Sequence, residues 1–175
     1  MPSFRTKRRV NHTAVEMFDL VADMERYPEF VPLCERMRVR GRTKVAEGVE
    51  VAVAAMTVAY KMVSETFTSR VTLNRPELLI TVAYVHGPFS ILDNRWTFRP
   101  VTAESCDVEF FISYEFKSRM LGLLMGAMFD VVFRKFEQAF ERRADQVYGS
   151  PGTASRAPQP SAEQAMPSDR WPPSS

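Results

Sequence analysis

Residues 19–34 read Asp19-Leu20-Val21-Ala22-Asp23-Met24-Glu25-Arg26-Tyr27-Pro28-Glu29-Phe30-Val31-Pro32-Leu33-Cys34. Pro28 disfavours helical geometry at Tyr27, and Pro32 does the same at Val31. The chain therefore leaves a helix, makes one more turn at most, and exits extended. Tyr27, Phe30, Val31 and Leu33 are too apolar for a solvated connector, so this stretch packs against something.

Upstream, Thr13-Ala14-Val15-Glu16 has the form of a capping box, in which Thr13 and Glu16 satisfy each other's free amides. Val15, Phe18 and Val21 follow near helical spacing, with Met17 and Leu20 beside them. A helix over about residues 14–23 results, with Glu16 and Asp19 outward. Residues 3–10 alternate before it. Phe4, Thr6, Arg8 and Val10 fall on one side, and Arg5, Lys7 and Arg9 on the other. The basic side is either a guarded, solvated sheet edge or a contact for an anionic membrane or RNA.

Downstream, residues 36–44, 49–55, 57–73, 78–85, 91–99 and 108–116 keep the period of strands. Glu47-Gly48, Asn74-Arg75-Pro76-Glu77, Gly87-Pro88 and residues 102–105 mark turns between them. Six successive strands on short turns predict an antiparallel meander. In the first of them, Arg36, Arg38, Arg40, Arg42 and Lys44 alternate onto one basic face. The period then switches. Residues 117–148 contain no proline, and Leu121, Leu124, Met125, Met128, Val132, Phe136, Ala139, Phe140 and Arg143 trace one helical face. Phe129 and Phe133 widen it. A helix of about 30 residues is roughly 45 Å long, enough to cross a sheet.

The order is thus strand, helix, short helix, six strands, long helix: an α+β fold with a seven-stranded antiparallel sheet against one helix. A curved sheet gripping a single helix leaves a cavity between them. Met120, Met125 and Met128 suit an adaptable apolar ligand, and equally suit an irregular core. Residues 1–149 form one domain. Residues 150–175, rich in Pro, Ser and Ala and without periodicity, read as a disordered tail.

Composition sets outer bounds. A net charge of +2 over 175 residues does not by itself argue for nucleic acid. Cys34 and Cys106 lack motif spacing and read as reduced thiols of a reducing compartment. The N-terminus lacks a signal-peptide run, and no window reaches the roughly 18 apolar residues of a membrane span. The expectation is a cytoplasmic protein, with peripheral contact at the inner membrane open. His12 and His86 have no companions at metal-ligand spacing, so no metal site is expected. Neither a nucleophile elbow nor a phosphate-cradling glycine loop is present. The one catalytic reading needs Glu65 or Glu115 to point inward, where burial would raise its pKa and make it an acid for a cyclase-like reaction. The chain is otherwise not expected to be an enzyme.

Four segments carry a family resemblance: Phe18 through Cys34 with its Tyr-Pro-x-Phe-Val-Pro centre; Glu65-Thr66-Phe67; Gly87-Pro88-Phe89 followed by Trp96-x-Phe98; and Tyr114-Glu115-Phe116 leading into the helix that ends Arg143-Ala144-x-x-Val147-Tyr148-Gly149. In order and spacing they resemble the START-like, helix-grip superfamily that includes polyketide cyclases and plant pathogenesis-related proteins. Within it the chain looks like the coenzyme-Q-binding START protein family, which also covers RatA-type ribosome-association toxins.

The resemblance implies a hydrophobic tunnel that binds ubiquinone or a similar polyprenyl lipid as a ligand, with no separate cofactor, in respiratory electron transport or quinone biosynthesis. The toxin branch implies binding to the large ribosomal subunit and a block of subunit association. For a lipid, the expected site is Phe30, Val31, Leu33, Phe89, Trp96, Met125, Met128, Phe129 and Val132. The two proline loops gate the entrance, or else simply plug the end of the domain. Tyr60, Tyr84, Tyr114, Arg95 and His86 are the candidate donors to a quinone carbonyl. For the ribosome, the basic strands carrying Arg5, Lys7, Arg9, Arg36, Arg38, Arg40, Arg42 and Lys44 are the candidates, and the same charges suit anionic lipid head groups.

Overall fold

The capping box forms in both directions. The Glu16 amide donates to the Thr13 hydroxyl at 3.1 Å, and the Thr13 amide donates to the Glu16 carboxylate at 3.0 Å. In the computed structural model, which describes residues 3–149, this cap starts α1, Ala14–Ala22, directly after β1, Ser3–Val10. The connector then winds into a 3-10 helix over Met24–Glu29, longer than the single turn its prolines predict. The Tyr27 phenol donates to the Val21 carbonyl, and the Val31 amide donates to the Tyr27 carbonyl at 2.8 Å. The exit runs through Leu33 at φ 64, held by the Ala59 amide donating to the Leu33 carbonyl at 3.0 Å.

Six strands follow: β2 Cys34–Ala46, β3 Val49–Tyr60, β4 Val63–Asn74, β5 Leu79–His86, β6 Phe89–Pro100 and β7 Cys106–Phe116. With β1 they form one curved, wholly antiparallel sheet in the order β1-β7-β6-β5-β4-β3-β2. The long helix α2, Arg119–Tyr148, starts at a Ser118 cap and lies on the inner face. This is the helix-grip arrangement expected from the sequence. The tail expected over residues 150–175 lies outside the described residues.

Two details depart from the sequence reading. The β3–β4 hairpin turns at Lys61-Met62, so residues 57–60 close β3 rather than open β4. The turn carries no Gly, Pro, Asn or Asp, which is why composition hides it; Lys61 itself takes φ 52. In β2, Gly41 adopts φ 60 and the pairing slips between Arg40, opposite Val53, and Thr43, opposite Val51. This bulge divides the expected basic face. Arg36, Arg38 and Arg40 remain outward. Arg42 turns to the other side and pairs with Glu25 at 2.8 Å and Glu50 at 3.6 Å, and Lys44 lies opposite Glu50.

The second half of α2 is clamped to the first strand and the residue pair that follows it. Glu137, Glu141 and Asp145 recur every fourth residue and so share one face. Thr6 donates to Glu137 and Arg8 to Glu141, while His12 Nε2 and Asp145 Oδ1 lie 2.7 Å apart. His12 is only 4% exposed, so this histidine is a structural tie. Burial raises the Glu137 carboxyl above its ordinary pKa, with Arg8 opposing. Cys34 and Cys106 are buried, unpaired thiols, each pushed up to about 11 by burial. Among the described residues no helix is long and apolar enough to cross a membrane.

Candidate functional site

Facing is decided by strand register. On β3 the inward residues are Ala52 and Ala54, almost fully buried, while Val53 is 38% exposed on the outer face. Opposite Ala54 on β4 stands Ser69, another small side chain. These two small positions sit under a helix whose inward side chains are large. The sheet and helix surfaces therefore do not interdigitate completely. Between them lies a cavity of about 160 Å³, walled by the sheet, by α2 and by Tyr27 and Met24 of the connector.

The wall is overwhelmingly apolar. Phe67, Phe89, Trp96, Phe110 and Phe116 contribute from the sheet, and Met125, Phe129, Val132, Phe133 and Phe136 from α2. Among the described residues, no lysine, arginine or histidine lines it. Its few polar groups are mostly engaged. Tyr27 donates to the Val21 carbonyl, and burial pushes that phenol far above its ordinary pKa. Asn94 Nδ2 donates to the Phe111 carbonyl at 2.8 Å. Ser69 Oγ, on a residue 2% exposed, has no hydrogen-bond partner among the described residues. Tyr114, 4% exposed, and the half-buried Glu65 complete the polar set.

Of the residues expected to form the site, Val31, Leu33, Phe89, Trp96, Met125, Phe129 and Val132 are brought together around this cavity. Phe30 and Met128 are not among its lining residues. The Phe30 ring packs edge-on against Tyr27 and Phe140, 6.0 and 5.2 Å away, with the Arg143 guanidinium 5.1 Å from its centre. It seats the connector on α2 from outside.

The second loop does reach the wall through Pro88 and Phe89. Gly87, at φ 146, permits this, because a Cβ there would stand 2.7 Å from that of Phe67. Among the candidate donors, Tyr114 stands on the wall. Tyr84 instead accepts the Phe89 amide at 3.2 Å, and Arg95 and His86 are exposed. Tyr60 lies at the hairpin tip under Lys61, 5.3 Å from its ring centre. Glu65 faces the cavity, while Glu115 is exposed and hydrogen-bonded by Ser90.

The wall also contains Ala54, Ser69, Val71, Ile80 and Asn94, which sequence reading did not single out. Alternation announces two faces of each strand without saying which is inner.

Comparison with known proteins places this geometry. The family model described as "Polyketide cyclase / dehydrase and lipid transport" matches residues 10–141. The Ribosome association toxin RatA of Vibrio cholerae is 37% identical over 140 residues, covering 80% of this chain and 93% of that protein. The mitochondrial coenzyme Q-binding protein COQ10 of Drosophila melanogaster is 30% identical over 155 residues, covering 87% of this chain and 62% of that protein. The solution structure of an 18 kDa protein from Caulobacter crescentus superposes with a TM-score of 0.71 at 32% identity, covering 86% of this chain and all 100% of that one. Neither of these two relatives carries the name of a reaction.

Proposed function

The chain belongs to the polyketide cyclase / dehydrase and lipid transport family, and from that premise we propose that its cavity binds ubiquinone or a similar prenyl lipid, in support of respiratory electron transport or quinone biosynthesis. The observation that carries this reading is the cavity itself: about 160 Å³, walled by aromatic and aliphatic side chains. An apolar cavity of about 150 Å³ holds a benzene ring. The space therefore suits one ring-sized head, and a long isoprenoid tail must leave it. Leu33, Pro88 and Leu121 border the cavity. Beside Leu121 on α2, Met120, Leu123 and Leu124 are 73%, 84% and 60% exposed and offer the tail an apolar track. Each buried Å² of tail adds roughly 25 cal/mol.

The test is extraction. Protein purified from a quinone-producing host is extracted with organic solvent and the extract analysed by mass spectrometry. A stoichiometric prenyl quinone is expected. Recovery of no quinone and no other prenyl lipid overturns the reading.

A second reading, association with the large ribosomal subunit, is favoured by a separate observation on the outer face. Arg36, Arg38 and Arg40 on β2 and Arg70 on β4 make no ion pair among the described residues. Arg40 and Arg70 both lie opposite Val53, so they flank one position of β3. On β1, Lys7 and Arg9 differ, while Arg5 lies over the Phe111 ring. Asp107 pairs with Arg9 at 2.6 Å and Lys7 at 3.6 Å, and Arg9 holds its carboxyl below the usual carboxylate range. The unmatched arginines are therefore the stronger phosphate contacts. Four such contacts imply a roughly 100-fold loss of affinity between 50 and 200 mM salt. Cosedimentation with large subunits should follow that dependence and disappear when Arg36, Arg40 and Arg70 are changed to Glu. Salt-independent cosedimentation, or an unchanged gradient profile for the variant, removes this reading.

A further inference from the structure

Ser69 stands in the middle of the inner wall. It lies opposite Ala54 on β3 and Tyr84 on β5, between Phe67 and Val71 of its own strand. Its hydroxyl is buried, faces an apolar cavity and has no hydrogen-bond partner among the described residues. A buried hydroxyl without a partner is destabilising, and alanine would fill the same place without that penalty. The polar groups nearby are turned to other partners: Asn94 Nδ2 donates to the Phe111 carbonyl, and the Tyr84 hydroxyl accepts the Phe89 amide, and neither side chain bonds the Ser69 hydroxyl. Among the described residues the cavity also has no cationic side chain to balance an anion, and Glu65 on its wall would repel one.

We infer that Ser69 is the hydrogen-bond anchor of the cavity, selecting a neutral ligand that carries an oxygen on its ring over a plain hydrocarbon or a carboxylate of similar length. The inference rests on the lipid-binding reading and specifies the chemistry of the ligand's head. A quinone carbonyl seated against Ser69 accepts the hydroxyl proton, while the rest of the ring meets a wall that is mostly aromatic and aliphatic. A fatty acid entering head first would bring a carboxylate into a wall with no counter-charge.

Calorimetric titration with decylubiquinone, decylbenzene and dodecanoate tests it. The first two share a ring and a ten-carbon chain, so the oxygens on the ring separate them. The wild-type protein is expected to prefer the quinone over decylbenzene by about tenfold and to bind dodecanoate not at all. In Ser69→Ala the preference should fall about 5- to 10-fold, decylbenzene should stay within about twofold, and the Tm of the ligand-free protein should rise by about 3 °C. Ser69→Thr, which keeps the hydroxyl, should retain the preference. If the quinone and decylbenzene both bind and Ser69→Ala leaves their ratio unchanged, the anchor is wrong and the lipid cavity stands. A fall in Tm for Ser69→Ala also overturns the anchor, since it would mean that the hydroxyl serves the fold. If the wild type binds neither ligand, the parent reading fails and takes the anchor with it.

Discussion

Ala54→Phe should abolish lipid retention while leaving the fold in place. Ala54 is 5% exposed and lines the cavity directly opposite Ser69. A phenyl group added there enters a space of about 160 Å³, close to the volume that a benzene ring occupies in an apolar cavity. The ring gains contacts that the void lacks, and any overpacking costs about 1–3 kcal/mol, which a domain of ordinary stability tolerates. A lipid head cannot share that space. Affinity should drop by at least about 100-fold, equivalent to roughly 2.7 kcal/mol. Solvent extraction of the purified variant reads this directly, with the thermal transition as a control. Prenyl lipid recovered in undiminished amount from folded Ala54→Phe protein would place the ligand elsewhere. The same variant separates the two functional readings. Arg36, Arg38, Arg40 and Arg70 lie on the opposite face, so ribosome cosedimentation, if it occurs, should survive a filled cavity.

The elements of this fold are legible because each rests on local chemistry. Thr13 and Glu16 announce a helix start, Gly48 and Pro76 announce turns, and the apolar period of 117–148 announces a helix that must lie on something. Features that depend on which way a strand faces are less legible. On β3, the valine row, with Val53 at 38% exposure, points outward, and Ala52 and Ala54 point inward. Apolarity alone would assign those faces the other way. The hollow is therefore set by side-chain volume, which alternation does not rank. Alternation does put Ser69 in the row of Phe67, Val71 and Leu73, but nothing in the period distinguishes one serine in an apolar row as a cavity-facing group. The basic face of β2 failed on one bulge: Gly41 turns Arg42 toward Glu25 and Glu50, and a strict period of two cannot anticipate an inserted residue. Phe30 packs, as its apolarity predicts, and the ring it meets is Phe140, while the cavity lining does not include it.

Phe140→Ala should be the most destabilising of these substitutions, by about 3–5 kcal/mol. The side chain is 3% exposed and sits where three parts of the molecule meet. Its ring lies edge-on to Tyr27 at 5.3 Å and Phe30 at 5.2 Å from the proline-bracketed connector, and 5.1 Å from Trp96 of the sheet. Truncation removes all three contacts and leaves a void that rigid neighbours fill poorly. Total stability is typically about 5–15 kcal/mol, so much of it is at stake, and Tm should fall by roughly 10–15 °C. The loss should not be uniform. Glu137, Glu141 and Asp145 still tie α2 to Thr6, Arg8 and His12, so amides of β1 should keep their protection from exchange. Residues 24–33, deprived of their seat, should exchange faster. A change in stability below about 1 kcal/mol would mean that the connector is held by its own 3-10 hydrogen bonds and not by α2. Phe140 also lines the cavity, so its removal enlarges the space even as it loosens the fold. Ligand added to the variant should then recover part of the lost Tm, because binding to the native state alone stabilises it by mass action. Recovery would tie the greasy connector to the ligand through one shared aromatic contact. Its absence would leave the connector as a structural seal.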